Sequence, residues 1–187
     1  MPPKVKITKE EIIRTAVEIV RQDGADAVNA REIAGKLGCS TQPVFSNFAT
    51  MEELRLSVVA AADDLYQEYI AREITDKKYP AYKAAGMAYI RFAREEKELF
   101  KLLFMRDRSA EPVQSETKEL RDLYQIVQTN TGFDEDKVRL FHLEMWAYVH
   151  GIAAMTATGY RELDPELVSE MMTDAYQGLK TRYETKE

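Results

Sequence analysis

The chain has 187 residues, of which 45% are hydrophobic and 31% are charged, so it can bury a core and is too apolar to remain disordered. One cysteine and two histidines argue against a disulfide framework and against a Cys/His zinc site. The net charge of −6 argues against sequence-independent coating of nucleic acid, although residues 1–60 balance eight Lys/Arg against eight Asp/Glu and leave the negative excess to the rest of the chain.

The N-terminus lacks the apolar stretch of a secretory signal, and the longest uncharged run is the 16 residues Met145–Tyr160. A bilayer needs about 20 apolar residues in a spanning helix. We therefore expect a cytoplasmic protein without a membrane partner.

Three capping patterns predict the first helix starts. In each, a side chain that can accept a backbone N–H bond stands three residues before a glutamate that can reach back. The pairs are Thr8 with Glu11, Asn29 with Glu32, and Thr50 with Glu53.

Apolar spacing predicts the helices that follow these caps. The first helix ends at Asp23-Gly24 and buries Ile13, Ala16, Val17 and Val20. The second buries Ala30, Ile33, Ala34 and Leu37 and stops at Gly38. The third, short helix follows Ser40 and carries Val44, Phe45 and Phe48, and a longer fourth helix starts after Thr50 and runs through Leu54, Val58, Ala61, Leu65 and Tyr69.

The rest of the chain is also predicted to be helical. Helices are expected at about 81–95, 97–106 and 115–130, then from Asp134 to Gly159, and finally from the Asp164-Pro165 start. The sequence thus predicts an all-α fold of about nine helices. We expect a DNA-binding domain over residues 1–54 and a helical ligand-binding and dimerisation domain over residues 55–187.

The segment 29–48 is predicted to be a helix-turn-helix. Two short helices flank the turn Gly38-Cys39-Ser40, an architecture in which the second helix enters the major groove of DNA. Its apolar positions can pack inward while Thr41, Gln42, Ser46 and Asn47 face outward. Glutamine and asparagine can pair bidentately with adenine, and serine or threonine can bond bases or phosphates.

The run from Thr8 to Leu54 resembles the DNA-binding region of the TetR family of transcriptional regulators. The residues that carry the resemblance are the Asp-Gly end of the first helix, then R-E-I-A-G-K-L-G-C-S, P-V-F-S-N-F and T-M-E-E-L. With the helix pattern, the resemblance predicts a set of DNA-binding residues. These are Lys4, Lys6, Asn29, Arg31, Lys36, Ser40, Thr41, Gln42, Pro43, Ser46, Asn47 and Thr50.

The chain departs from the family pattern at two phosphate contacts. Phe45 stands where the family often has a tyrosine, and Met51 stands where it commonly has a lysine. The predicted recognition helix also contains no Arg or Lys. We therefore expect phosphate binding to depend on cations elsewhere and on backbone N–H groups, with a shallow salt dependence.

The segment Phe141–Gly151 contains Trp146 and His150-Gly151 and resembles the Trp…His-Gly signature in the penultimate helix of many AcrR-like members. In the family, the last two helices pair with those of a second subunit. The resemblance therefore implies a homodimer and an interface that includes Tyr148, Ile152, Met155, Val168, Met171, Met172, Ala175 and Leu179.

Aromatic and methionine side chains are frequent in the body of the chain. They predict a ligand pocket lined by Tyr89, Phe92, Phe104, Tyr124, Met145, Trp146 and His150. For any one of these residues, ordinary core packing is an open alternative.

Other site chemistries find little support. His142 and His150 stand about 12 Å apart on one helix, too far to share a metal ion, and Cys39 reads better as a small buried side chain than as a redox sensor. No phosphate loop, nucleophile elbow or dinucleotide fingerprint occurs. We expect no enzyme, no cofactor and no metal.

The sequence predicts a bacterial, ligand-responsive transcription regulator. We expect it to bind a palindromic operator in double-stranded DNA as a homodimer, to act as a repressor, and to be released by a small-molecule effector. The alternative is a helical ligand-binding or protein-interaction module whose helix-turn-helix is only structural. The sequence names neither the effector nor the operator.

Overall fold

The structure is a computed structural model that describes residues 7–107 and 117–185. The predicted contacts of Lys4 and Lys6 lie outside these ranges, as do residues 108–114 between the helices predicted at 97–106 and 115–130. Within the described residues the chain forms nine α-helices, one 3₁₀ turn (Ala25–Ala27) and no strand, which confirms the all-α prediction. The helices are α1 (Lys9–Asp23), α2 (Ala30–Lys36), α3 (Gln42–Asn47), α4 (Met51–Thr75), α5 (Ala81–Glu95), α6 (Lys97–Phe104), α7 (Lys118–Thr131), α8 (Glu135–Ala157) and α9 (Pro165–Glu184).

The three predicted cap residues begin their helices, and the reciprocal bond from the glutamate is present at Thr8 and Glu11, whereas Glu53 accepts from Ala49 instead of Thr50. Thr8 Oγ1 accepts from the Glu11 N–H at 3.1 Å, while the Glu11 carboxylate accepts from the Thr8 N–H at 2.8 Å. Asn29 Oδ1 accepts from two backbone N–H groups at the start of α2, both at 3.0 Å. Thr50 caps α4 through the Glu53 N–H at 3.1 Å. Each cap of this kind contributes about 1 kcal/mol of helix stability.

The buried stripe of α1 differs from the predicted one. The helix buries Ile12, Ala16, Ile19 and Val20, whereas the predicted Ile13 and Val17 are partly exposed. Apolar residues occupy two neighbouring stripes of this helix, and periodicity alone cannot choose between them. The choice is made by the helices that pack on α1.

The chain divides into two compact units, and the first comprises Met1–Gln67 together with Glu96–Arg106. Helix α6 therefore joins the N-terminal helices, although the sequence places it well inside the body of the chain. Within this unit α6 packs on α1, and the Arg21 guanidinium donates to both carboxylate oxygens of Glu96, each at 2.8 Å. The Glu96 side chain is only 14% exposed, so this ion pair is largely shielded from water.

The second unit comprises Glu68–Glu95 and Asp107–Glu187. The predicted boundary between residues 54 and 55 falls inside α4, which contributes residues to both units. In the second unit α8 packs against α5, α7 and α9. An aromatic cluster fills one part of its core and consists of Val127, Phe133, Val138, Phe141, Met145 and Tyr183.

Small residues let α5 approach its neighbours closely. Ala84 and Ala88 are fully buried, and a Cβ atom at Gly86 would collide with the Met172 side chain of α9. The glycine is therefore matched to Met172 in this packing.

No helix in the described part of the chain is long and apolar enough to span a membrane.

The shielded Arg21–Glu96 pair gives a stability test. We expect Glu96→Gln to lower the free energy of unfolding by about 1–3 kcal/mol, because the half-buried guanidinium loses the better shielded of its two carboxylate partners and keeps only Glu18. Urea or thermal unfolding followed by circular dichroism measures the change. The control is Glu52→Gln, which removes a 3.9 Å surface pair with Arg55 and should cost less than about 1 kcal/mol. Equal losses in both variants would contradict a structural role for the shielded pair.

Candidate functional site

Helices α2 and α3 form a helix-turn-helix, which confirms the predicted motif. The turn between them contains Gly38 with a φ of 65°, a left-handed conformation that favours glycine. The Cys39 N–H bonds the Ala34 carbonyl at 2.9 Å and closes the end of α2, and Cys39 itself is half-buried. Helix α3 buries Val44, and Phe48, the residue that follows its last turn, is buried as well. The turn and the buried face together fix how α3 presents its opposite side.

The outer face of α3 carries Gln42, Phe45 and Ser46, all of which are exposed. These residues stand at i, i+3 and i+4, so they share one side of the helix. Phe45 is 55% exposed, while Val44 and Phe48 are at most 1% exposed. The exposed surface of the helix is therefore neutral, with an aromatic ring beside an amide.

Asn47 does not face outward as predicted. Its side chain is half-buried, and its Nδ2 donates to the Pro43 carbonyl at 2.8 Å and to the Ile7 carbonyl at 3.5 Å. The amide thus joins α3 to the segment before α1. A side chain committed to these backbone groups is not free to form a bidentate pair with adenine.

The other predicted DNA-binding residues surround this face with different exposures. Arg31, Lys36, Ser40 and Thr50 are exposed, and Thr41 and Pro43 are half-buried. The side chains of Asn29 and Thr50 cap α2 and α4. Lys36 Nζ donates to Gln22 Oε1 at 2.6 Å, a neutral partner that leaves its charge uncompensated.

Lys9 forms a partly exposed ion pair within the N-terminal unit. Its Nζ pairs with Glu53 Oε1 at 3.0 Å and lies 4.6 Å from the centre of the Phe48 ring. The ammonium therefore connects α1 to the start of α4.

The predicted pocket residues lie in several places. Phe104 belongs to the first unit, where its ring contacts Tyr66 and Phe100 at centroid distances of 5.3 and 5.2 Å. Phe92 is fully buried in the second unit against Tyr69. These two phenylalanines pack as core residues, which is the alternative that the sequence left open.

Two tyrosine–histidine pairs join α5 to α8. The Tyr89 hydroxyl lies 2.9 Å from His150 Nδ1, and the exposed Trp146 ring stacks on His150 at 4.9 Å. About two turns earlier on each helix, the Tyr82 hydroxyl lies 3.0 Å from His142 Nδ1. Burial lowers the pKa of both histidines, so each imidazole is neutral at pH 7 and acts as a hydrogen-bonding group.

Tyr124 packs edge-on against His142 at 5.2 Å and lines a groove between α7 and α8. Among the described residues, no cluster of three or more His, Cys, Asp or Glu side chains could hold a metal ion.

Met145 is the predicted pocket residue that lines a larger cavity between α5, α7, α8 and α9. This cavity has a volume of about 490 Å³. Its walls combine apolar side chains with polar ones, among them Tyr82, Lys83, Thr173, Tyr176 and Lys180. Within residues 7–107 and 117–185, no carboxylate lines this cavity. Sequence periodicity missed this cavity because it is assembled from the start of α5 and the middle of α9, which are about 90 residues apart.

The predicted dimer interface is partly wrong. Ile152, Val168 and Met172 are at most 4% exposed within their own unit, so they cannot form a surface for a partner. Ala175 and Leu179 are partly buried and pack on the aromatic cluster. Met155 and Met171 are half-exposed, and Tyr148 is exposed.

Exposed leucines that the prediction missed lie on the same two helices. Leu140 and Leu143 on α8 and Leu167 on α9 are 44–57% exposed, as is Trp146 at 44%. Helix α8 is apolar nearly all round, so its sequence pattern could not separate the inward face from the outward one.

Comparison with known proteins identifies the fold and the family. A TetR-like transcriptional regulator from Rhodococcus sp. RHA1 superposes with a TM-score of 0.68 at 15% identity, covering 100% of both chains. A TetR-family member from Streptomyces coelicolor A3 gives 0.62 at 17% identity, covering 89% of this chain and 96% of the other. The multidrug binding protein EbrR, complexed with imidazole, gives 0.57 at 16% identity over 89% and 93%.

At these identities the structural matches establish the fold alone, and no curated protein sequence matches the chain. The family follows from the sequence: the model of the tetracyclin repressor-like C-terminal domain matches residues 82–176, just over half of the chain. With the helix-turn-helix of α2 and α3 ahead of this domain, the chain belongs to the TetR family of transcriptional regulators.

Proposed function

We propose that the protein is a ligand-responsive repressor that binds a palindromic operator as a homodimer and is released by an effector. The observation that carries the proposal is the outer face of α3, where Gln42, Phe45 and Ser46 are presented by a helix-turn-helix. In such motifs the second helix lies in the major groove with its N-terminal residues on base edges.

The chemistry of this face supports base reading. The Gln42 amide can donate to N7 and accept from N6 of adenine, and the Phe45 ring can contact a thymine methyl group. Ser46 is a weaker candidate, because its hydroxyl already donates to the Pro43 carbonyl at 3.1 Å. Adenine and thymine therefore form the preferred half-site in this proposal.

Phosphate contacts would come from residues around the outer face of α3 (Gln42, Phe45 and Ser46), which is the proposed reading face. Arg31 and Lys36 are exposed cations on α2, whereas the Arg31 and Glu32 N–H groups in its first turn already donate to Asn29. Lys4 and Lys6 of the N-terminal segment complete the proposed set. With few cations engaged, the affinity should fall only gradually with salt.

The exposed apolar face of α8 and α9 supports a homodimer. Leu140, Leu143 and Trp146 on α8 and Leu167 on α9 present large apolar side chains to solvent. Tyr148, Met155 and Met171 of the predicted interface remain part of this proposal. A self-complementary contact would remove this apolar surface from water and give the two-fold symmetry that a palindrome requires.

Effector release follows from two conformations with different affinity for DNA. Helix α4 contributes residues to both units, so a change of its tilt could alter the spacing between the two recognition helices of a dimer. The effector would act only through its different affinities for the two conformations.

The alternative function is a ligand-binding or protein-interaction module whose helix-turn-helix is structural. The observation that favours it is the absence of Arg and Lys from α3, together with an exposed aromatic ring on its surface. Such a ring could contact a protein partner as well as a base.

Selection of random duplex DNA by the purified protein separates the two functions. An enriched palindrome with half-sites about one helical turn apart would support the regulator. If no sequence is enriched at low salt, with or without a metabolite extract, the interaction module replaces it.

Substitutions in α3 then test the reading face. We expect Gln42→Ala to weaken binding to the selected site by about 1–3 kcal/mol without changing the melting temperature, because it removes only a base contact.

Asn47→Ala should instead lower the melting temperature, because it removes the bonds to Pro43 and Ile7. Fluorescence anisotropy and thermal unfolding measure the two effects, and the exposed Gln125→Ala on α7 serves as the control. Unchanged affinity in Gln42→Ala would exclude this side chain from base reading.

The contact between Phe45 and a thymine methyl group can be tested by removing the methyl group from the DNA. Each thymine of the selected site is replaced in turn by deoxyuridine. We expect one replacement to weaken binding by the wild-type protein about fourfold, since a buried methyl group contributes about 0.8 kcal/mol. Phe45→Ala should bind the two DNAs equally, whereas the control Leu56→Ala should retain the wild-type difference. Equal losses in wild type and Phe45→Ala would exclude the contact.

The dimer face is tested by introducing a charge. We expect Leu143→Glu to convert the dimer into a monomer in sedimentation velocity, because it would bury a carboxylate without a partner. Leu56→Glu alters a leucine of similar exposure in the other unit and should leave the dimer intact. A dimer of unchanged stability in Leu143→Glu would place the interface elsewhere.

A further inference from the structure

The cavity between α5, α7, α8 and α9 is cationic on one side. Lys83 near the start of α5 and Lys180 in the last turns of α9 both line it, and no carboxylate of the described residues does. Lys180 has Glu184 as a counter-ion, whereas the partner of Lys83 is a neutral hydroxyl, so the wall of the cavity keeps a net positive charge that favours a negatively charged guest.

Neither lysine is held by a strong anionic partner. Lys83 Nζ donates to the neutral Thr173 hydroxyl at 2.7 Å and lies 5.1 Å from the centre of the Tyr79 ring. Lys180 Nζ is 3.7 Å from Glu184, whose side chain is 51% exposed. An exposed pair of this kind contributes at most about 1 kcal/mol, so a ligand can replace it.

The rest of the cavity is suited to an apolar body. Met145 and Met172 supply flexible, polarizable walls, and the rings of Tyr82 and Tyr176 stand beside them. The two rings lie 6.0 Å apart at a tilt of 56°, and Tyr82 is fixed by its bond to His142. The volume of about 490 Å³ lies within the range of small-molecule sites.

We propose that this cavity binds a small amphipathic organic anion, such as an aryl or alkyl carboxylate or sulfonate. Its anionic group accepts hydrogen bonds from Lys83 and Lys180, and its apolar part packs on Met145 and Met172. The assignment deepens the proposed function, since it rests on the protein being ligand-responsive and gives the chemical class of its effector.

The cavity shares helix α9 with the exposed apolar face that we assign to the dimer. Lys83 is on α5, whereas Lys180 and Thr173 are on α9, the helix that also carries Leu167. A ligand that contacts both Lys83 and Thr173 or Lys180 would therefore bridge α5 to a helix that we assign to the interface.

Two fluorescent probes of nearly the same shape test the charge requirement. 8-Anilinonaphthalene-1-sulfonate carries a sulfonate, and N-phenyl-1-naphthylamine is its uncharged counterpart. We expect the double variant Lys83→Gln/Lys180→Gln to bind the sulfonate about tenfold more weakly, because two charge-assisted hydrogen bonds are lost. Binding of the neutral probe should change less than about twofold, because the apolar walls are unaltered. Fluorescence titration gives both dissociation constants.

The control variant Lys118→Gln removes an exposed lysine at the start of α7, away from the cavity, and should leave both constants unchanged. Equal weakening of both probes, no weakening of the sulfonate, or weaker sulfonate than amine binding by wild type would each overturn the proposal. An unchanged melting temperature by circular dichroism shows that the double variant is folded, since apolar dyes also bind partly unfolded states. The titration contains no DNA, so its outcome is independent of the operator selection that tests the proposed function.

Discussion

The burial of Val44 and Phe48 is the contact on which the recognition surface depends. Helix α3 has six residues, and a helix this short is unstable in water without tertiary packing. The side chains of Val44 and of Phe48, which follows the last helical residue, supply that packing, and Asn47 adds bonds to the backbone of Pro43 and Ile7. Because one side of α3 is fixed in this way, Gln42 and Phe45 on the other side are held in a defined orientation before any partner binds.

The second unit is organised by a repeated polar contact inside an apolar interface. The Tyr82–His142 and Tyr89–His150 pairs follow one another along α5 and α8, so the two helices run in the same direction. Apolar packing tolerates small shifts along a helix, whereas an unpaired polar group in a buried interface carries a penalty of about 1–3 kcal/mol. The two pairs therefore set the register in which α5 and α8 meet, and Gly86 leaves room for the end of the Met172 side chain of α9.

Local features of this fold were predictable from the sequence, and features that depend on distant contacts were not. The caps at Thr8, Asn29 and Thr50 involve groups within three residues, and the helix-turn-helix is defined by spacing within 20 residues. The packing of α6 on α1 depends on Arg21 meeting Glu96, 75 residues away. Periodicity likewise could not choose between the two apolar stripes of α1 or between the two faces of α8, since that choice is made by the partner helix.

The candidate sites show the same division. Composition predicted an apolar pocket, but residues chosen for being aromatic were distributed among core, interface and surface. Phe92 fills space, Trp146 is exposed, and Phe104 belongs to the other unit. The sequence pattern does not distinguish Lys83 and Lys180, which line the cavity, from other lysines. A charged residue on an amphipathic helix ordinarily faces solvent.

A neutral reading face has a consequence for how the proposed repressor is released. Phosphate contacts strengthen specific and non-specific binding alike, whereas base contacts such as those proposed for Gln42 and Phe45 strengthen only the specific complex. A recognition helix without Arg or Lys lowers the sequence-independent part of the affinity. The ratio of specific to non-specific affinity then depends on the contacts with bases. An effector must supply a difference in binding free energy large enough to empty the operator, and that difference is smaller when the total affinity is smaller. Modest DNA affinity is therefore compatible with control by a small ligand that makes only two charged contacts.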